Sequence, residues 1–254
     1  MKKFLLGTVA LLALGVTANA ADLPARAYTK APPMVSVYSW TGFYLNAGGG
    51  YGMWEADTSS VLVATGQPLT FGTQNGGRGY FGTVGGGFDY QFAPAWVAGV
   101  FADAQFGDIK GTISDPFRTT AGSVKNDVSW AVGARLGYLI APNVLSYVNA
   151  GYSHAEFTGT TQTNIATNTP NGLFTQPFDR SGWFVGGGVE HSLNIFGFSA
   201  PGLFMKTEYR LAEYDRTTLP MVDSTGAPTA TGVTFKPYVQ TFSTQLVYRF
   251  NYGR

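Results

Sequence analysis

The chain holds two histidines, each in a short polar run: Ser153-His154-Ala155-Glu156 and Glu190-His191-Ser192. Serine, histidine and a carboxylate are the ingredients of nucleophilic hydrolysis, in which the imidazole takes the hydroxyl proton and the acid orients the ring. Local spacing argues against it. Neighbours in an extended strand point to opposite faces, so Ser153 and His154 cannot meet, while His154 and Glu156 share a face without a nucleophile. Metal chemistry is equally unsupported. Asp57, Asp108, Asp115 and Asp127 are scattered without ligand spacing, and there is no cysteine. The glycine runs 48–50, 85–87 and 186–188 would cradle phosphate only at the start of a helix, and none has a helical period behind it. The chain is therefore expected to be no enzyme and to need no metal or cofactor. What remains is a set of ionisable residues embedded in alternating apolar segments: Asp89, Asp103, Arg135, Glu190, Lys206, Glu208, Arg210 and Arg249.

Those segments are strands. In Thr241 to Phe250, Phe242, Thr244, Leu246, Tyr248 and Phe250 share one parity, and Thr241, Ser243, Gln245, Val247 and Arg249 share the other. Side chains of a strand alternate with period two, so one face is largely aromatic and apolar and the opposite face largely polar. Seven further segments alternate in the same way: Thr41 to Trp54, Gly79 to Gln91, Trp96 to Gly107, Asp127 to Leu139, Val144 to Glu156, Gly182 to Ser192 and Leu203 to Tyr214. Most have the length that crosses a bilayer when tilted. The connections alternate long and short. Glu55 to Arg78, Asp108 to Asn126, Phe157 to Ser181 and Asp215 to Pro237 read as long loops, whereas 92–95 and 140–143 are short turns. That asymmetry suits a barrel with long loops outside and tight turns in the periplasm, and an even strand count leaves both termini periplasmic. The expected fold is all-β: an eight-stranded antiparallel up-and-down transmembrane β-barrel with four long extracellular loops.

Composition agrees without deciding. Charged residues make up 12% of the chain against 15% aromatic, and the net charge is +1, so nothing favours nucleic acid as a partner. The start, MKKFLLGTVALLALGVTANA, has a charged head, a short apolar run and an A-x-A site. It reads as a secretory signal over 1–20, followed by a proline-containing lead-in over 21–40 and the barrel over 41–254. Tyr and Trp cluster near strand ends, as in interfacial girdles; Trp40, Tyr44, Trp54 and Tyr214 are counted among them.

WTGFYLNAGGGYG at 40–52, WAVGARLGY at 130–138, GWFVGGGVEHSL at 182–193 and MKTEYRLAEY at 205–214 resemble the small outer-membrane β-barrel proteins of alphaproteobacteria. The lead-in ADLPARAYTKAPP is also similar to that family. The resemblance implies an OmpA-like, often porin-like, barrel in a Gram-negative outer membrane, associated with envelope integrity and surface interaction rather than catalysis. Its implied partners are outer-membrane lipids and lipopolysaccharide, the barrel assembly machinery, and host or environmental ligands at the loops. Members commonly end on an aromatic, so Tyr248, Phe250 and Tyr252 all compete as the assembly signal. An eight-stranded barrel is just wide enough for its own side chains to fill. Four acids and four bases inside are expected to cross-link into a polar plug, leaving the lumen closed or very narrow. A narrow porin for ions or small solutes is the alternative, and a lipid-modifying enzyme a more distant one.

Overall fold

The structure is a computed structural model, described here for residues 39–114, 117, 119–193 and 201–250. The signal segment 1–20, the lead-in up to residue 38, most of the connection around 194–200 and Tyr252 lie outside the described residues.

The described residues contain no α-helix. Eleven antiparallel strands follow in order: β1 (Gly42–Leu62), β2 (Thr73–Ala93), β3 (Trp96–Ser114), β4 (Thr120–Ala141), β5 (Val144–Phe157), β6 (Thr160–Asn164), β7 (Thr169–Thr175), β8 (Phe178–Ser192), β9 (Leu203–Tyr214), β10 (Thr217–Val222) and β11 (Pro228–Arg249). Eight of them, β1-β2-β3-β4-β5-β8-β9-β11, form a ring that closes through the β1–β11 pairing. Closure leaves no unpaired backbone edge, which hydrocarbon would not tolerate. The eight segments read from alternation are these eight strands. Thr41–Trp54 pairs with the last strand as expected, with Leu45 opposite Tyr248 and Gly52 opposite Thr241.

The four long loops are a correction. β1 and β11 stay in register from Tyr44↔Arg249 to Leu62↔Thr231, far past the expected end at Trp54. β1 and β2 take up 55–62 and 73–78 of the first supposed loop, and β3 and β4 take up 108–114 and 120–126 of the second. The supposed loop 157–181 folds into the β6–β7 hairpin, and 215–237 into β10 and the start of β11. The result is a second ring stacked on the first. There β6, β7 and β10 take the places of β5, β8 and β9, through the β4–β6, β7–β10 and β10–β11 pairings. Thr, Ser and Asn read locally as loop residues, but β-branched Thr serves well on a strand whose outer face meets water.

Outward alternation marks the membrane zone. On β1 it runs from Phe43 through Leu45 to Met53, about 25 Å once tilt is included. Exposed Tyr90, Trp96, Tyr138 and Tyr248 edge one side of this band, and Tyr80, Trp130, Tyr152 and Tyr209 edge the other. Beyond the second edge the stacked ring rises roughly another 20 Å along β1.

Four expected girdle aromatics are not in the girdle. Trp40 is 1% exposed, Trp54 1%, Tyr44 2% and Tyr214 3%, and all four lie inside the barrel. The parity of Tyr44, Trp54 and Tyr214 is that of the polar inner face. Nearness to a strand end misled where the alternation itself gave the side.

Candidate functional site

All eight ionisable residues assigned inward are buried, and they gather into two layers. The first uses every second strand of the ring: Asp89 on β2, Arg135 on β4, Glu190 on β8 and Arg249 on β11. Acid and base alternate around the lumen. Arg135 donates from Nε to Asp89 Oδ1 at 2.9 Å, from Nη2 to Asp89 Oδ2, and from Nη1 to Glu190 Oε2 at 3.1 Å. Arg249 closes the circuit, with Nε 2.7 Å from Glu190 Oε1 and Nη2 2.8 Å from Asp89 Oδ2. Its remaining nitrogen donates to the Trp40 carbonyl at 3.3 Å. Aromatic faces cover the guanidinium groups: Arg135 stands 4.5 Å from the Tyr44 ring centre and Arg249 4.4 Å from that of Trp40. A planar, delocalised cation tolerates such stacking where an ammonium would lose its hydration.

The second layer comes from the strands between. Arg210 on β9 grips Asp103 on β3 with two parallel bonds of 2.9 and 2.7 Å, and reaches Glu208 Oε1 at 2.8 Å. Tyr147 Oη and Asn149 Nδ2 from β5 both donate to Glu208 Oε2 at 2.9 Å. Lys206 Nζ is 4.0 Å from the same oxygen. Leaving one partner of such a buried pair alone costs roughly 3–5 kcal/mol, so the layers hold together as units.

Glycines make the room. A Cβ at Gly99 would lie 2.0 Å from Asp89 Oδ1, and one at Gly188 2.7 Å from Tyr147 Oη. This is the crowding inside a small barrel that the glycine-rich strands relieve. The runs 48–50, 85–87 and 186–188 all lie within β1, β2 and β8.

Above the charged layers the inner face turns apolar. Trp54, Phe81, Ile109, Phe157, Phe184 and Phe235 form one buried cluster with smaller neighbours. A cavity of about 20 Å³ touches Asp103, Gln105, Ser153, Arg210 and Tyr214, room for about one water molecule. Sequence reasoning missed the share of Tyr44, Tyr147, Asn149 and Trp40 in the charged layers. For the first three, inward parity was the available signal.

The histidines stay outside the barrel. Ser153 points inward to Tyr214 Oη at 2.9 Å, so it is separated from His154 as the alternation required. His154 stacks on Trp130, with ring centres 5.4 Å apart. Its Nδ1 lies 3.1 Å from Ser181 Oγ of the facing strand, and its Nε2 3.8 Å from Asp179. Ser181 was out of reach of local spacing because register alone brings it opposite His154. Among the described residues no group of three or more His, Cys, Asp or Glu is arranged to hold a metal ion.

A closed antiparallel ring with an outward apolar band and an inward charged core matches one family description along almost the whole chain. The outer-membrane protein β-barrel domain model covers residues 8–250. The chain belongs to that family. Relatives within reach of sequence comparison include the 31 kDa outer-membrane immunogenic proteins of Brucella melitensis and Brucella suis. Each is 26% identical over 231 residues, spanning 88% of this chain and 92% of the relative. Among solved structures, the outer membrane protein OprG of Pseudomonas aeruginosa aligns with a TM-score of 0.56 and 14% identity. The match covers 83% of this chain and 98% of OprG, and shows a shared barrel fold. With the family comes the location: the chain is an outer-membrane β-barrel protein of a Gram-negative bacterium.

Proposed function

We propose that this protein is a structural outer-membrane barrel, closed to solutes, that contributes to envelope integrity and carries a surface contact region on its stacked outer ring. The observation that carries the reading is the layering inside: a charge circuit of Asp89, Arg135, Glu190 and Arg249, a second around Arg210, and an apolar layer above both. Such a filling has a structural use and leaves no continuous polar path. The stacked ring faces outward and both termini are periplasmic, following the rule that tight turns lie on the periplasmic side. The barrel assembly machinery reads the end of β11, where Tyr248 and Phe250 are exposed and stack edge to face. The Brucella relatives are named as immunogenic, which accords with an exposed outer ring as the contact region for host or environmental ligands.

Catalysis is left out of this reading. Ser181 Oγ already accepts the Tyr152 hydroxyl at 2.5 Å, and Asp179 stands beyond hydrogen-bond distance from His154. Expression is expected to leave lipid A acylation unchanged by mass spectrometry.

The deciding measurement is conductance in a planar bilayer. Wild type is expected to give no steady channel. Arg135→Ala alone is expected to stay closed, because the second charged layer and the apolar layer both persist. Stable wild-type conductance at porin level would remove the reading.

A further inference from the structure

Three cations stand in one register row on the outer wall. Arg78 of β2 faces Lys110 of β3, and Lys110 faces Lys125 of β4. Their strand neighbours Ile109 and Val124 are buried in the barrel, so the cations lie on the outward parity. Like charges directly opposite one another destabilise a sheet. Two carboxylates offset part of this. Asp108 is 2.8 Å from Lys110 and 3.4 Å from Lys125, and Asp127 is 2.6 Å from Lys125. Among the described residues Arg78 has no carboxylate partner, which leaves the row with a net positive charge.

Directly beside the row the wall is hollowed. A shallow, open groove is lined by Tyr80, Phe81, Gly82, Phe106, Gly107 and Val128 together with Asp108 and Asp127. A β-bulge shapes it. Phe106 pairs with Val128 and the next pair is Ile109 with Asn126, so β3 carries an extra residue there. Gly82 contributes by lacking a side chain. A Cβ there would meet nothing closer than 3.9 Å, so packing does not demand the glycine. Tyr80 and Phe106 belong to the membrane edge nearest the stacked ring. The groove therefore lies at acyl-chain depth and the cations at headgroup height.

We propose that this patch is a docking site for one phosphorylated glycolipid of the outer leaflet, of the lipid A type, and the assignment rests on the stacked ring facing outward. Its phosphates sit on Arg78, Lys110 and Lys125, and an acyl chain lies in the groove beneath. The row spans about 10 Å at strand spacing, more than a single phosphodiester fills and suited to a headgroup with two phosphates. Asp108 and Asp127 hold the lysine ammoniums in place.

The test uses the full chain in detergent micelles, where orientation in a membrane plays no part. Retention of bis-phosphorylated lipid A is measured by native mass spectrometry beside dephosphorylated lipid A, phosphatidylglycerol and inorganic pyrophosphate. Wild type is expected to hold lipid A at least tenfold more tightly than the dephosphorylated form. Arg78→Gln with Lys110→Gln and Lys125→Gln should abolish that difference, and Gly82→Phe should weaken both forms. Should the triple variant fail to show heat-modifiable mobility, Arg78→Gln alone carries the test, with at least a threefold loss expected. Equal binding of both lipid A forms, an unchanged variant, or equal competition by phosphatidylglycerol or pyrophosphate would overturn the site. Protease access to residues 223–227 on whole cells tests the orientation separately.

Discussion

Arg249 Nη2 lies 2.8 Å from Asp89 Oδ2 although β1 separates their two strands in the ring. The bond passes over the inner face of β1, so it ties the closing strand to the strand on the far side of its neighbour. Glu190 accepts from Nε at another edge of the same guanidinium.

Removing that guanidinium strands two buried carboxylates on Arg135 alone. Arg249→Ala is expected to destabilise the barrel by roughly 3–5 kcal/mol. Lys236→Ala, which breaks the outer-wall pair with Glu213 at 2.6 Å, should cost no more than about 1 kcal/mol. Urea titration of the folded gel band measures both, and equal losses would show that the circuit adds nothing beyond a surface pair.

Two glycines should respond in opposite ways. Gly99→Ala places a methyl 2.0 Å from Asp89 Oδ1 and is expected to cost about 1–3 kcal/mol. Gly82→Ala meets open space and should be near neutral. The same unfolding assay separates them.

The β6–β7 hairpin belongs to the stacked ring alone. β5 and β8 pair from Val144↔His191 to Phe157↔Phe178 without it. Deleting residues 160–175 in favour of a short turn is therefore expected to preserve heat-modifiable mobility and assembly. Loss of the folded band would make the upper ring a requirement for the lower one.

Asp223 caps the turn between β10 and β11. Its Oδ1 accepts from the Thr225 hydroxyl at 2.6 Å, from Thr225 N at 2.9 Å and from Ala227 N at 3.0 Å, while Gly226 takes a φ of 83°. The Thr225 hydroxyl above all, and then the backbone N–H groups, hold its carboxyl below the usual carboxylate range. A depressed pKa means that the capping contribution is present at neutral pH and disappears only as pH falls through the lowered value. The protection factors at Thr225 and Ala227, exchange rates corrected for the intrinsic pH dependence of amide exchange, should hold until pH falls below the ordinary carboxylate range and then drop. Asp223→Asn should remove that dependence, and protection factors that stay constant through acid pH in the parent would contradict the cap.

Parity made the ring and its charged residues readable. Lys206, Glu208 and Arg210 share a face because a strand repeats every two residues, and the same rule put Asp89, Asp103, Arg135, Glu190 and Arg249 inside. Local chemistry failed at the stacked ring. Thr-, Ser- and Asn-rich stretches resemble loops when read alone, and only pairing with a partner strand far along the chain turns Ser59 and Thr234 into opposite members of a ladder.

The sequence by itself determined that this chain alternates, that its alternation suits a lipid-facing barrel, and which ionisable side chains turn inward. Those are consequences of a period of two and of hydrocarbon's demand for paired backbone. The tertiary structure decided what no spacing carries: which acid meets which base, that Trp40, which precedes the first strand, lies inside, and that three cations from three strands form one row. Each of these depends on register and closure, which bring together residues more than a hundred positions apart, as Asp103 and Arg210 are.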